Sequence, residues 1–154
     1  MRFLPLFQIA LLCGCNADKI AQLDKENKEL RANLTTIELQ EKCSRQALSE
    51  FKDIGYDGPE YKTAEKSANL ANHYNADLNK CFMEVDTSDF TKSTIDDNYS
   101  DITISDAYER KEYAAFALIS YDVVDCYVLK SSGEKQRCKS VDEFKELIRQ
   151  FMEK

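Results

Sequence analysis

The 154-residue chain carries 28 Asp and Glu against 21 Lys and Arg, a net charge of −7, with one His, four Gly and no Trp. That acidity, with no run of Lys or Arg interleaved with aromatics, repels phosphate backbones and excludes nucleic-acid binding. Glycines this sparse also leave no phosphate-cradling loop, and the length beyond a leader suits one domain with a core of its own.

The first element is a leader. Arg2 opens it and "FLPLFQIALL" continues it, a short basic segment followed by an apolar stretch of secretory length. The run from Phe3 to Cys15 falls short of the about 20 apolar residues that a membrane-spanning helix needs. After it, "NADKIAQLDKENKEL" is polar, so residues 1–14 read as a removed signal.

Leu12, Cys13, Gly14 and Cys15 resemble the lipobox of bacterial lipoproteins, in which a Leu three residues before a Cys and a small residue just before it guide cleavage and lipidation. Cys13 stands where that family usually has Ala or Ser, and using Cys13 itself as acceptor would put bulky Leu12 at the cut. The resemblance covers the first 16 residues. It implies a lipid anchor, palmitate included, on Cys15 and attachment to a membrane of the bacterial cell envelope. Asn16 replaces the Asp that in this family signals inner-membrane retention, which points to the outer membrane, facing the periplasm or the surface. The competing reading is an ordinary secretory signal with a chance cysteine pair. With the leader gone, Arg2 is lost and 20 Lys and Arg stand against 28 Asp and Glu, a net of −8.

Residues 15–40 come next, as a predicted stalk. In "KIAQLDKENKELRANLTTIELQ", Ile20, Asn27 and Leu34 fall at heptad position a and Leu23, Leu30 and Ile37 at d. Three heptads thus present one seam with the 3.5-residue period of a coiled coil. Asn27 in that seam pairs best with the same Asn of a second chain, which favours a parallel homodimer. The flanking charges agree, because Lys19 would face Asp24 and Glu26 would face Arg31 across such a dimer. Rim pairs of this kind contribute only tenths of a kcal/mol each. The alternative is a single amphipathic helix that packs on its own domain or stays solvated.

Past Leu39 the seam fails, and Cys43, Ala47, Leu48, Phe51 and Ile54 form a new apolar face, so the helix is expected to run on into a globular core. Gly55, Gly58 and Pro59 end it near Ile54. Residues 41–154 then read as one α+β domain. The segment from Tyr61 to Asn79, with scattered Ala and four Asn, suits turns and short helix better than a long strand. "KCFMEVDT" reads as a strand with Cys81, Met83 and Val85 on one face, and "STIDDNYSD" as a loop. "ITISDAYERKEYAAFALIS" is a hairpin turning at Glu109 to Lys111 or a helix from Asp106, with the alternation in "ITIS" favouring the hairpin. "DVVDCYVLKSSGEKQRCKS" is a hairpin, and centring it on Ser132 sets Cys126 opposite Cys138. Ser140 and Glu143 form a capping box for a last helix with Val141, Phe144, Leu147, Ile148 and Phe151 as its stripe. The expected object is a long N-terminal helix leading into a small disulfide-stapled antiparallel sheet with a C-terminal amphipathic helix.

Four cysteines remain after Cys13 and Cys15 are set aside, an even count behind an export signal. The hairpin takes Cys126–Cys138, which leaves Cys43–Cys81 to tie the long helix to a strand. A four-thiolate zinc site or a redox pair is the competing reading, although no C-x-x-C occurs.

Catalysis finds little support. His73, the only histidine, would need a free Cys81 thiolate to activate, and Asp96 beside Asp97 in a polar loop lacks the aromatic cleft of a glycosidase. The expectation is therefore a protein without catalytic residues, metal or cofactor. It is read as a lipid-anchored cell-envelope protein of structural or interaction type, with an unidentified envelope protein as its partner. The alternative is an envelope inhibitor or defence protein, resembling lipoprotein lysozyme inhibitors in size, acidity and anchoring, that binds a cationic enzyme such as lysozyme.

Overall fold

The computed structural model describes residues 11–90 and 98–153, with side chains from residue 18 onward. The predicted lipobox side chains and the Asp96–Asp97 pair lie outside the described residues. The chain is α+β, with a long helix α1 (Leu11–Asp53), seven strands and a short helix α2 (Val141–Met152). It divides into two compact units, Met1–Glu38 and Leu39–Lys154.

The described part of the first unit is helix throughout. No Gly or Pro interrupts residues 18–53, and straight-chain helix formers dominate. Thr35 and Thr36, weak formers, donate their hydroxyls to the carbonyls of Arg31 and Ala32 one turn back, at 3.0 and 3.1 Å.

In the second unit the strands are β1 (Glu60–Lys62), β2 (Lys66–Asn75), β3 (Lys80–Asp89), β4 (Tyr99–Asp106), β5 (Glu112–Ile119), β6 (Asp122–Leu129) and β7 (Lys135–Arg137). They lie in sequence order and every neighbouring pair is antiparallel, so the sheet is a meander. The turns fit their chemistry. Ser120 and Tyr121 both take positive φ (52° and 72°) in the two-residue β5–β6 loop, the backbone sign that matches strand twist in such loops. Gly133 supplies φ 83° between β6 and β7.

The two faces of the sheet have separate cores. Phe82, Ile102, Ile104, Ala114, Phe116, Cys126 and Val128 pack with Phe144, Ile148 and Phe151 of α2. On the opposite face Cys81, Met83, Val85 and Ala68 pack with Cys43, Ala47 and Phe51 of α1. β3 serves both cores, since successive side chains of a strand point to opposite faces. This is the predicted alignment of Cys81, Met83 and Val85.

The helix end departs from the sequence reading in one respect. Asp53 closes α1, and Ile54, expected on the apolar face, is 56% exposed. The reason is the cap. Gly55 at φ 105° donates to the Lys52 carbonyl at 2.9 Å and Tyr56 to that of Phe51 at 3.1 Å, the double bond of a Schellman motif. The turn carries Tyr56 back to stack on Phe51 at 4.8 Å between ring centroids, so an aromatic two residues later covers the core that Ile54 was assigned.

A larger correction concerns the segment from Tyr61 to Asn79, which is not turn and short helix but β1 and the ten-residue β2. Its Asn residues are poor strand formers, yet tertiary partners hold them. Asn72 Oδ1 accepts from Gln40 Nε2 at 3.0 Å and from Ser44 Oγ at 2.7 Å. Asn75, fully buried, donates through Nδ2 to the carbonyls of Gln150 and Phe151 at 2.8 and 3.3 Å. One Asn fixes α1 and the other α2, and propensity yields to those contacts.

The expected loop "STIDDNYSD" is also corrected, because Tyr99, Ser100 and Asp101 open β4 by pairing with Asp89, Ser88 and Thr87, while residues 93–97 lie outside the described residues. The two hairpins and the last helix fall where the sequence puts them. β4 and β5 form the preferred hairpin. In the β6–β7 hairpin Tyr127 opposes Arg137 and Val128 opposes Gln136, the register that Ser132 as centre predicts. Ser140 caps α2 by accepting from Glu143 N–H at 3.2 Å. Glu143 Oε2 accepts in turn from the backbone N–H of Lys139 at 2.9 Å, one residue earlier than the usual box.

Candidate functional site

Within the second unit, the last turns of α1 and the middle of the sheet enclose a cleft of about 320 Å³. Its floor is apolar, from Met83 and Val85 of β3, and Ile54 stands at its lip. Polar groups complete it: Glu50 and Asp53 from α1, Thr103, Ser105 and Asp106 from β4, Arg110 from the β4–β5 turn and Glu112 from β5.

Arg110 organises one wall. Its Nε lies 2.6 Å from Glu50 Oε2 and its Nη2 lies 2.9 Å from Glu50 Oε1 and 3.1 Å from Asp53 Oδ2. The fork geometry of a guanidinium permits this two-pronged hold on Glu50. Glu50 is only 8% exposed, so the pairing offsets the cost of burying its charge. Arg110 achieves this at φ 56°, a backbone state uncommon for a side chain of its size. Those contacts hold the guanidinium charged and push its pKa further up, the hydrogen bond that it donates to Glu50 first.

The turn behind Arg110 is built by Asp106. Its Oδ1 accepts from Tyr108 N–H at 2.8 Å and Glu109 N–H at 3.0 Å, an Asx-type turn. Its Oδ2 lies 3.0 Å from Lys80 Nζ, which also reaches Glu109 at 2.8 Å. Those hydrogen bonds, Glu109's foremost, raise the Lys80 pKa.

At the far wall Tyr127 Oη donates to Glu112. Burial, then that carboxylate, pushes the Tyr127 pKa up to about 12. Beyond the cleft, Thr87 donates to Asp101. Burial raises the Asp101 pKa, the Thr87 bond opposes that rise and Glu112 adds to it. Glu84 and Asp86 on β3 are likewise raised, chiefly by burial.

Among the described residues, the cleft brings together four carboxylates, Glu50, Asp53, Asp106 and Glu112, against one lining cation, Arg110. Three of the four carboxylates are already engaged, Glu50 and Asp53 by Arg110 and Asp106 by Lys80, and Glu112 accepts from Tyr127. Among the described residues, Thr103 and Ser105 are its only hydroxyl-bearing lining residues, and no His or Cys lines it. Of these residues the sequence marked Ile54, Met83 and Val85 as core-facing and Asp106 and the turn at Glu109 to Lys111 as element boundaries, and none of them as part of a site. They come from four elements, and no spacing rule joins them.

The residues named from the sequence fall elsewhere. Cys43 and Cys81 are bonded, with Cα atoms 5.2 Å apart, and Cys126 and Cys138 likewise at 5.1 Å. Cys81 therefore offers no free thiol to His73. The two also point to opposite faces of the sheet, since His73 opposes Phe82 in the register while Cys81 opposes Tyr74. Among the described residues, no three His, Cys, Asp or Glu are grouped to hold a metal, and no helix is long and apolar enough to cross a membrane.

In the first unit the seam residues Ile20, Leu23, Leu30, Leu34 and Ile37 are each 56–59% exposed, with Asn27 exposed among them. Cys15 lies in α1, with its side chain outside the described residues. No protein-family model, no curated protein and no solved structure matches the chain.

Proposed function

We propose that this is a lipid-anchored cell-envelope protein of structural or interaction type, which presents residues 41–154 on a coiled-coil stalk at 15–40. The observation that carries the reading is the Cys43–Cys81 bond. It fastens to the sheet the last turns of α1, the helix that also contains the lipobox-like Cys15. Two buried disulfides also suit an oxidising compartment outside the cytoplasm. The test is fractionation of cells producing the chain. The protein sediments with the outer membrane, and Cys15→Ala releases it to the soluble fraction; equal release of both forms would sink the reading.

The cleft favours one second reading, in which the domain captures a cationic enzyme such as lysozyme. Glu112, the one lining carboxylate among the described residues with no cation on it, stands beside an apolar floor and complements a Lys or Arg side chain, and such steering is strongest at low salt. Lysozyme binding that weakens with salt and with Glu112→Gln supports it. No binding at low salt disposes of it.

A further inference from the structure

We propose that the exposed seam of the first unit seats a second copy of this chain, parallel and in register, with Asn27 paired to the partner's Asn27. This rests on reading residues 15–40 as a stalk and names the stalk's partner.

Three observations converge. First, α1 is unbroken from Leu11 to Asp53, so the three heptads lie on one continuous helix and share one face. Second, the five apolar seam residues are all more than half exposed. Five large aliphatic side chains in one row are an unpaired interface rather than scattered surface residues. Third, the flanks supply charge complementarity. Among the described residues Lys19, Asp24 and Arg31 enter no ion pair within the chain, while Lys25, on the far side of the helix, pairs with Glu29 at 3.9 Å. In a parallel pair Lys19 meets the partner's Asp24 and Glu26 the partner's Arg31, opposite in sign at both places.

Orientation follows from Asn27. In an antiparallel pair a positions face d positions, and the Asn27 amide would meet Leu or Ile with its hydrogen bonds unmade, a costly arrangement. In a parallel pair a faces a, and the two amides bond each other. One polar layer also disfavours trimers, in which three amides meet at the axis.

The test is sedimentation of the full chain, purified in detergent, across a concentration series. The expected mass is that of two chains. Leu23→Ser with Leu30→Ser shifts it to one chain while both disulfides stay formed. Glu26→Lys sets two cations together and raises the dissociation constant roughly fivefold or more, and adding Arg31→Glu restores it, as only parallel pairing allows. A single-chain mass at every concentration overturns the second copy. A dimer indifferent to the serine changes, or not restored by the charge swap, overturns the parallel seam. The mass of the N-terminal peptide, read on the same sample, reports lipidation separately, so failure of the anchor and failure of the dimer are distinguishable.

Discussion

Single residues carry much of the local specification. Gly55 takes φ 105° with nothing within 4 Å of the position of an added Cβ, so only backbone strain opposes a side chain there. Gly55→Ala is expected to cost about 1 kcal/mol, measured by urea unfolding; a neutral result would mean that the cap relaxes freely. Asp101 tests the buried charge. Its pKa is raised above the ordinary carboxylate value, chiefly by burial, so the folded state binds the proton more tightly than the unfolded one. Its contribution is therefore most favourable below the ordinary carboxylate pKa of about 4 and is lost as pH rises through the folded value. Asp101→Asn should lessen the fall in the urea midpoint between mildly acid and neutral pH, and a variant with the parent's pH slope would contradict that assignment. At this scale the sequence was legible where local rules operate, as at Ser140, Glu143 and Gly55. It was silent on Glu50 and Arg110, whose partnership spans 60 residues and follows from no periodicity.

Among the elements, legibility tracked the range of the forces involved. α2 was readable because its stripe and cap are local, and the β6–β7 hairpin because one turn fixes its register. β2 was misread for the opposite reason. Its Asn72 and Asn75 argue for turns until Gln40, Ser44, Gln150 and Phe151 supply their hydrogen bonds, and those partners lie 28 to 76 residues away. The cysteine pairing was recoverable by elimination, since hairpin arithmetic assigns one bond and the count assigns the other. The Cys43–Cys81 bond closes a separation of 38 residues, for which the chain-entropy model gives about 4 kcal/mol. Cys43→Ala with Cys81→Ala should therefore lower the unfolding free energy by about that amount. It should also expose amides of α1 from Cys43 to Phe51 to faster hydrogen exchange than those of α2, whose core on the other face does not touch the bond. Uniform loss of protection across both helices would instead mean that the two cores unfold as one.

At the scale of the whole molecule the chain combines a lipobox-like Cys15, a helix with an exposed apolar seam, and a meander sheet stapled twice and covered by a helix on each face. The fold class was legible because elements of this length and patterning allow few layered arrangements. The cleft was not, because it forms only where the end of α1 meets β3, β4 and the β4–β5 turn. The proposed anchor at Cys15 is what the rest of the proposal depends on, because lipidation there would put the stalk at a membrane and the disulfides in an oxidising compartment. Its most direct test is the mass of the N-terminal peptide of the protein recovered from the envelope. The expected peptide begins at Cys15 and carries diacylglycerol and an amide-linked acyl chain. A peptide that begins elsewhere, or a Cys15 without lipid, would contradict it.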